Sequence, residues 1–371
     1  MSILKNRQQA LDDWNYIFKA ELKKVFQDKG VLIFFILVPL AYPLIYAFIY
    51  NNEVIREVPA AVVDYDNTAL SRQYIRNVDA TPDVRIIAHC TSMAEAERLI
   101  KNREVYGIVR IPSDFTRNIN TMQQAHVGVY ADMSGLLYYK ALVLANTNVS
   151  LAMNADIKVQ RKPSTTAEQD KVTQMPIRYE QVDLYNPQTG FASFLIPAVL
   201  ILVLQQTLVL GVGLSAGTDN ESNRYRELQP INSHFNGMLR IVFGKGFAYL
   251  LIYLWNIAFV LEVVPRIFHL PQIGNPLDLW LIAIPFLLAI IFMAMTITFL
   301  IRQRETGFML IVFASVPLLF LSGVSWPGVS IPTFWKYVSY LFPSTFGVNA
   351  YIKINSLGAE MGDVKPEWHA L

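Results

Sequence analysis

The stretch FLIPAVLILVLQQTLVLGVGL, residues 194–214, is almost entirely apolar. A helix needs about 20 residues to cross the hydrocarbon core of a bilayer, and this stretch is long enough to do so. The composition agrees, because 53% of the 371 residues are hydrophobic and only 16% are charged. The sequence therefore predicts a polytopic α-helical membrane protein. The predicted transmembrane runs are 31–50, 191–214, 246–264, 279–301 and 307–323.

Basic residues cluster beside particular runs and indicate the orientation of the chain. They precede the first run, and they occupy the connections from the second to the third run and from the fourth to the fifth run. Such segments face the cytoplasm, so residues 51–190 should lie outside. We interpret 31–50 as an uncleaved span, because no small-residue cleavage pattern follows it. The basic residues are Lys5, Arg7, Lys19, Lys23, Lys24, Lys29, Arg224, Arg226, Arg240, Lys245, Arg302 and Arg304.

Residues 1–30 form the predicted cytoplasmic N-terminus and contain an amphipathic segment at 12–28. Its apolar residues recur at helical spacing, with lysines elsewhere around the helix. A helix of this kind either lies in the membrane interface or packs against the other spans, and the pattern does not distinguish these two placements. The apolar residues are Trp14, Ile17, Phe18, Leu22, Val25 and Phe26.

Residues 51–190 alternate between strand-like and helix-like patterns, which predicts an α/β domain inserted between the first and second transmembrane helices. The strands are predicted in VPAAVVDYD, VRIIAHC, VYGIVRIP and AHVGVYAD, and a long helix is predicted at 134–160. The polar stretch 161–171 is interpreted as a loop. Cys90 is the single cysteine, and it follows a strand, so a buried apolar role is expected rather than a reactive thiol.

The chain offers little that resembles a catalytic, metal or nucleotide site. The five histidines show no close metal-ligand spacing, and GMLRIVFGKG at 237–246 has the wrong glycine separation for a phosphate-binding loop. Asp64 and Asp66 resemble a carboxylate pair, but turn chemistry at a strand end explains them. A net charge of +2 without a basic tract argues against a nucleic-acid partner. No catalytic residue, metal ligand or bound cofactor is predicted for this chain.

Polar residues inside the predicted spans are the candidates for a translocation path. Gln205 and Gln206 lie near the middle of the second run, and Asn256 and Glu262 lie in the third. Lipid penalises such side chains, so each should face protein or a cavity. For the two glutamines, hydrogen bonds between helices are the favoured interpretation, and a role in a substrate path is the alternative.

Residues 324–355 are apolar and aromatic but are interrupted by Pro327, Pro332 and Pro343. No unbroken part is long enough to cross a bilayer, so we predict a re-entrant pair of helices at the outer face. Residues 356–371 then form a tail.

The arrangement of one span, a large outer α/β domain and then a cluster of spans resembles the permease subunits of type-2 ABC exporters. It is most similar to the drug-efflux-like branch with a large extracytoplasmic domain. The resemblance covers roughly residues 14–355. The matching stretches, in order, are VPAAVVDYDNTALSR, GIVRIPSDF, ESNRYRELQPINSHFNGMLRIVFGK and SGVSWPGVSIPTFWKYVSYLFPSTFGVNA.

The resemblance implies that the cytoplasmic coupling segment 217–235 contains a short coupling helix, which docks into a groove on a partner ATPase. Tyr225, Leu228 and Ile231 follow at three-residue intervals and suit one apolar edge. Glu221 and Arg224 suit an i,i+3 charge pair. The ATPase-coupling residues implied in this way are Glu221, Arg224, Tyr225, Arg226, Glu227 and Leu228, with Pro230 expected to end or kink the helix.

The same resemblance implies an ATP-driven exporter of an amphipathic or hydrophobic substrate, drug-like or lipid-like, in the bacterial inner membrane. ATP and magnesium would be bound by the separate ABC ATPase, so this chain would not itself be an enzyme. A second copy or a sister permease would complete a dimer in contact with membrane lipid. A periplasmic adaptor and an outer-membrane channel are further partners of such systems.

Two departures from the family pattern leave details open. The family often places a Gly-Thr pair after the acidic residue of the coupling segment, whereas Gly217 and Thr218 precede Glu221, which leaves the register of the helix open. A sixth span normally follows the re-entrant pair, whereas this sequence stops at GDVKPEWHAL. We therefore expect a truncation before a sixth transmembrane helix.

Two other classes of function remain as alternatives. A membrane-anchored extracytoplasmic binding or scaffold protein would use the spans as an anchor alone, and copurification of an ATPase separates it from a permease. An ion-coupled secondary transporter would be expected to carry ionisable residues near mid-membrane, where this sequence has Gln205 and Gln206.

Overall fold

A computed structural model describes residues 2–161, 166–175, 184–186 and 189–371 of the chain. The chain divides into two compact units. The first comprises Met1–Glu53 and Asp183–Leu371, and the second comprises Val54–Val182. Each unit has its own hydrophobic core, and each is described separately below.

The first unit is helical. Its N-terminal part contributes α1 (Ser2–Gln27) and α2 (Lys29–Ile49). The rest consists of α8 (Phe191–Glu221), a 3₁₀ helix (Arg224–Leu228), α9 (Gln229–Asn232), α10 (Gly237–Ile267), α11 (Pro276–Leu300), α12 (Arg304–Leu321), a 3₁₀ turn (Gly328–Ser330), α13 (Thr333–Ser339), α14 (Pro343–Leu357) and α15 (Lys365–Ala370).

Five helices in the described part of the chain are long and apolar enough to cross a membrane: α2, α8, α10, α11 and α12. This finding confirms the prediction of a polytopic α-helical membrane protein. Helix α8 is central, because 89% of its most apolar window is buried, against 12% for the window of α12. Helices α2, α11, α12 and α14 all pack on α8.

The N-terminal amphipathic segment is part of α1, which packs along α10. Ile17 and Val25 are fully buried on the packed face, whereas Leu11, Tyr16 and Phe26 are exposed on the opposite side. The structure thus shows the packing alternative for the inner face. A membrane interface for the outer face stays a prediction.

The segment predicted as a re-entrant pair forms α13 and α14. Helix α14 is buried along one side against α8 and α11, while the aromatic residues Phe334 and Trp335 of α13 are exposed. Pro343 lies at the first turn of α14, where the missing backbone N–H costs nothing. The position of this pair relative to a bilayer stays a prediction.

The second unit is an α/β layer domain with a four-stranded sheet in the order β2-β1-β3-β4. Strands β1, β2 and β3 are parallel, and β4 pairs antiparallel with β3. Its elements are β1 (Val58–Asp64), α3 (Ala69–Asp79), β2 (Val84–Cys90), α4 (Met93–Lys101), β3 (Gly107–Ile111), α5 (Phe115–Asn120), β4 (Gly128–Ala131), α6 (Leu136–Gln160) and α7 (Ala167–Gln174).

The predicted strands and helices of this unit are confirmed, but the loop prediction for 161–171 is partly wrong. Residues 162–165 lie outside the described residues, whereas Ala167–Gln174 is a helix. Thr166 and Gln169 form a capping box at its start, a local signal that stabilises even a short helix. The location of this unit outside the membrane stays a prediction.

Two residues that could have been chemical have structural roles instead. The Asp64 carboxylate accepts hydrogen bonds from the backbone of Asp66 and Asn67, both at 3.0 Å, which confirms the turn interpretation. Cys90 is buried in a small apolar core, and burial raises the pKa of its thiol. It is therefore the apolar filler that the sequence predicts.

Candidate functional site

The segment between α8 and α10 is exposed and consists of two short helical pieces. Arg224, Tyr225, Arg226 and Glu227 are exposed on the 3₁₀ helix. Leu228 is half-buried at its end. They present two cations, an aromatic ring and a carboxylate to a potential partner.

One detail predicted for this segment is wrong, namely the i,i+3 charge pair of Glu221 and Arg224. Helix α8 continues to Glu221, and Asn223 then takes a left-handed conformation with φ 53°, which interrupts the helix. That break removes the helical spacing between Glu221 and Arg224, and the Glu221 carboxylate instead accepts a hydrogen bond from the Arg304 backbone N–H at 2.8 Å. Pro230 lies in the first turn of α9, directly after the 3₁₀ helix ends at Leu228.

Ile231 was also expected on the same apolar edge as Tyr225. It is only 7% exposed, whereas Tyr225 is 47% exposed. Ile231 therefore anchors the segment to the first unit, and Tyr225 remains available for contact.

A buried cluster of four charged side chains lies where α1, α8 and α10 meet. The Lys24 ammonium is 2.6 Å from Asp219 Oδ1 and 3.7 Å from Glu21 Oε1. Lys245 is 3.0 Å from Asp219 Oδ2 and 3.2 Å from Glu21 Oε2. Two acids and two bases thus balance, which offsets part of the cost of burying each charge. We call these four residues the ionic cluster.

Neutral groups complete the hydrogen bonding of the ionic cluster. The Ser215 hydroxyl donates to Glu21 Oε1 at 3.0 Å, the Tyr249 hydroxyl donates to the same oxygen, and Lys24 Nζ donates to the Ser215 carbonyl at 3.0 Å. Burial alone would raise the pKa of Glu21, but Lys245, Lys24 and the two hydroxyls together lower it to about 2. Glu21 is therefore ionised at neutral pH.

Further ion pairs hold both ends of the exposed segment. Before it, Asp28 pairs with Arg304 at 2.9 Å and accepts a hydrogen bond from Thr218 Oγ1 at 3.2 Å. After it, Asp13 of α1 contacts Arg240 at 2.6 Å and His234 at 2.8 Å.

These pairs also set the protonation of the two aspartates. Burial alone would raise the pKa of both Asp13 and Asp28. Contacts with His234 and Arg240 lower the pKa of Asp13, and hydrogen bonds from Arg304 and the backbone lower the pKa of Asp28. The exposed segment is therefore attached through charged contacts to α1, α10 and the start of α12.

Sequence reasoning missed this framework. The sequence relates Lys24, Arg240, Lys245 and Arg304 only to membrane orientation, because it shows the sign of a charge but not its partner. The i,i+3 spacing of Glu21 and Lys24 was the one local signal of a pair.

The four polar residues of the spans each contact a neighbouring element. Gln205 accepts a hydrogen bond from the Ser344 backbone N–H at 2.7 Å and donates to the Ser344 hydroxyl at 3.0 Å. Gln206 donates to the Ser315 carbonyl of α12 at 3.3 Å. These bonds join α8 to α14 and to α12.

In α10, Asn256 donates to the Phe35 carbonyl at 2.7 Å. Phe35 lies in a π-helical turn of α2, where the regular i to i−4 bonding is replaced and a carbonyl becomes free. Glu262 pairs with Arg266 of its own helix at 2.6 Å and accepts from Trp280 of α11 at 3.4 Å. A role of any of these residues in a substrate path stays a prediction.

Among the residues that the structure describes, no group of three or more His, Cys, Asp or Glu side chains could hold a metal ion. The site is an exposed charged segment on a base in which several helices are joined by ion pairs.

Comparison with known proteins finds a matching family and similar proteins. The family model for the ABC-2 family transporter proteins matches residues 29–370. ABC transporter G family member 20 of Dictyostelium discoideum is 21% identical over 343 residues, covering 90% of this chain and 45% of that relative. The chain thus spans less than half the length of that relative. The probable multidrug ABC transporter permease YbhR of Escherichia coli strain K12 is 20% identical over 335 residues, covering 89% of this chain and 86% of the relative.

Proposed function

Because this chain belongs to the ABC-2 family of transporter proteins, we propose that it is the permease of an ATP-driven exporter and that Arg224–Leu228 docks on the ATPase. The observation that carries the proposal is the contrast between this exposed segment and its base. The segment itself contributes little to the core, whereas the residues on either side of it are held by the ionic cluster and by the pairs of Asp13 and Asp28.

Helices joined in this way are suited to transmitting movement. Interfaces and packed cores change between discrete arrangements rather than deforming continuously. A push on the 3₁₀ helix would therefore move α1, α8 and α10 together. Closure of the two ATPases on ATP would supply the push, and the helices would switch between states that bind substrate differently.

The proposal assigns a separate role to each exposed side chain. Arg224 and Arg226 would contact acidic groups in a groove of the ATPase, and Tyr225 would fill its apolar part. Glu227 and Leu228 would border this contact, and Glu221 would fix the start of the segment through the Arg304 backbone. ATP and magnesium would be bound by the ATPase alone.

The proposal also covers partners, location and substrate. A second copy or a sister permease would complete the transporter in the bacterial inner membrane, with the second unit outside and the N-terminus in the cytoplasm. The substrate would be an amphipathic or hydrophobic molecule, drug-like or lipid-like. A periplasmic adaptor and an outer-membrane channel would extend the path. The name of the multidrug relative supports the substrate class.

The test is copurification of the ABC ATPase encoded beside the permease gene. The Arg224→Glu, Arg226→Glu variant should retain less than a tenth of the ATPase that the parent retains. Arg98→Glu, Lys101→Glu serves as the matched control, because it reverses two exposed cations on α4 of the second unit. Retention that is equal in all three proteins, or that is missing in the parent, would overturn the proposal.

A further inference from the structure

A groove in the second unit lies between α6 and the connection from α5 to β4. It encloses about 550 Å³, within the range of about 300–1,000 Å³ that is usual for small-molecule sites. Its floor is apolar and includes Phe115, Val129 and Met153. The function proposed above assigns nothing to it.

One wall of the groove is a polar stripe on α6. Asn146, Ser150 and Asn154 follow at four-residue spacing, which places them on one face of the helix. Asn146 is only 3% exposed, and its position is fixed because its amide donates to the Leu142 carbonyl at 2.8 Å. The Tyr74 hydroxyl donates to Asn146 Oδ1 at 3.2 Å and lies 3.1 Å from the Ser150 hydroxyl. Asn146 is buried, Ser150 is half-buried and Asn154 is exposed, so the stripe lines the wall with polar groups from its inner to its open side.

One end of the groove is basic. The Arg161 guanidinium reaches across the groove and donates to the Ile119 carbonyl. Beyond it, a second cavity of about 870 Å³ between α6 and α7 shares Arg161 and Ile157 with the first and adds Lys158 and Lys171. Among the described residues that line the two cavities, three are cationic and none is acidic.

An apolar floor that ends at three cations selects one kind of ligand. Lys158 and Lys171 are exposed and available to an anionic group, whereas a small anion alone would not fill the groove of about 550 Å³ beside them. We propose that the groove binds an amphipathic anion, with its apolar body against Phe115, Val129 and Met153 and its carboxylate, sulfate or phosphate group at Lys158, Arg161 and Lys171. Charge-assisted bonds to such a group are stronger than neutral ones.

Binding to this site needs no ATPase, so it is tested independently of the coupling segment. The full chain is placed in phosphatidylcholine nanodiscs and titrated with 11-(dansylamino)undecanoic acid, with empty discs subtracted. The uncharged methyl ester of the same probe measures the apolar contribution. Lys158→Gln, Arg161→Gln, Lys171→Gln should weaken binding of the acid about tenfold, the loss of roughly one charged hydrogen bond, and leave the ester unchanged.

Two further variants make the result specific. Thr147→Trp fills the groove from its exposed wall and should weaken binding of acid and ester alike. Arg76→Gln, Arg98→Gln, Lys101→Gln removes three exposed cations elsewhere in the unit and should change neither. The proposal is overturned if the parent shows no saturable binding of the acid, or if the triple variant at the groove binds it as the parent does.

The lipid composition of the discs distinguishes a membrane lipid from a soluble molecule as the natural ligand. Discs of phosphatidylglycerol should abolish binding of the acid if the groove takes an anionic membrane lipid, since the lipid then occupies the site. Unchanged binding in those discs assigns the groove to a soluble amphipathic anion. Either result requires the saturable binding described above.

Discussion

At the scale of single residues, the ionic cluster depends on its balance of charge. Glu21 contacts both lysines of the cluster and is only 4% exposed. Its removal would leave Lys24 and Lys245 sharing Asp219 in a buried place. An unbalanced buried charge is costly, whereas a balanced pair can often be replaced without loss.

Glu21→Leu should therefore lower the free energy of unfolding by about 3–5 kcal/mol. The double variant Glu21→Leu, Lys245→Met should recover at least half of that loss, because the Lys24 and Asp219 pair at 2.6 Å remains. The measurement is unfolding by SDS titration in mixed micelles. Losses that simply add in the double variant would show that the four charges do not act as one cluster.

The two neighbouring glutamines of α8 should differ. Gln205 is buried and satisfies both the backbone N–H and the hydroxyl of Ser344, whereas Gln206 makes one bond of 3.3 Å. Gln205→Leu should cost about 1–3 kcal/mol, because it leaves buried polar groups unpaired. Gln206→Leu is the control and should cost less than half as much in the same titration. A larger loss for Gln206→Leu would contradict these contacts.

At the scale of elements, the sequence predicts much of the fold because its patterns are local. The strands of the second unit follow from runs of β-branched residues bounded by turn residues, and α3 and α4 begin at the caps Thr68 and Ser92. The transmembrane helices are predicted from the length of their apolar runs. The break at Asn223 follows a weaker local signal, since Asn adopts the left-handed conformation at helix ends more readily than most residues, whereas the π-helical turns at Ile33–Leu37 and Phe259–Val263 are not marked by such a pattern.

Only the exposed part of the candidate site was predictable from the sequence. The exposed charges of the segment from Glu221 to Leu228 were visible in the sequence, since charge between two apolar runs is a local pattern. The ion pairs that hold it join residues up to 276 positions apart, as in Asp28 and Arg304, and no periodicity reports such partners.

Helix α8 approaches the start of α12 through Gly217. A Cβ atom at this position would lie 2.6 Å from the Arg304 Cα and 2.8 Å from its backbone nitrogen, neither of which can move freely. Gly217→Ala should therefore lower the free energy of unfolding by about 1–3 kcal/mol, the usual cost of overpacking. It should also weaken retention of the ATPase, because the exposed segment begins four residues later.

Gly246→Ala is the matched control in α10, where the nearest atom to the added Cβ is Ile291 Cγ2 at 3.5 Å. Stability should stay the same or rise by up to about 1 kcal/mol, since Ala favours a helix over Gly. Equal effects of the two substitutions on unfolding would contradict the close approach at Gly217.

At the scale of the whole molecule, the account requires the second unit and the segment after α8 to lie on opposite sides of the membrane. Asn148→Cys on α6 should be labelled in intact spheroplasts by a membrane-impermeant maleimide. Ser222→Cys should be labelled only after the membrane is opened. The parent protein is the blank, because its single thiol, Cys90, is buried. Labelling of both positions before lysis would refute the proposed topology.

The central claim is that the exposed 3₁₀ helix contacts the ATPase in the working transporter. The most direct measurement places a photo-crosslinking amino acid at Tyr225 in cells that express both subunits, with Tyr130 of β4 as an exposed control site. A crosslink from Tyr225 to the ATPase should form and should change in yield when ATP is trapped, and none should form from Tyr130. A crosslink that forms from Tyr130 but not from Tyr225 would contradict it.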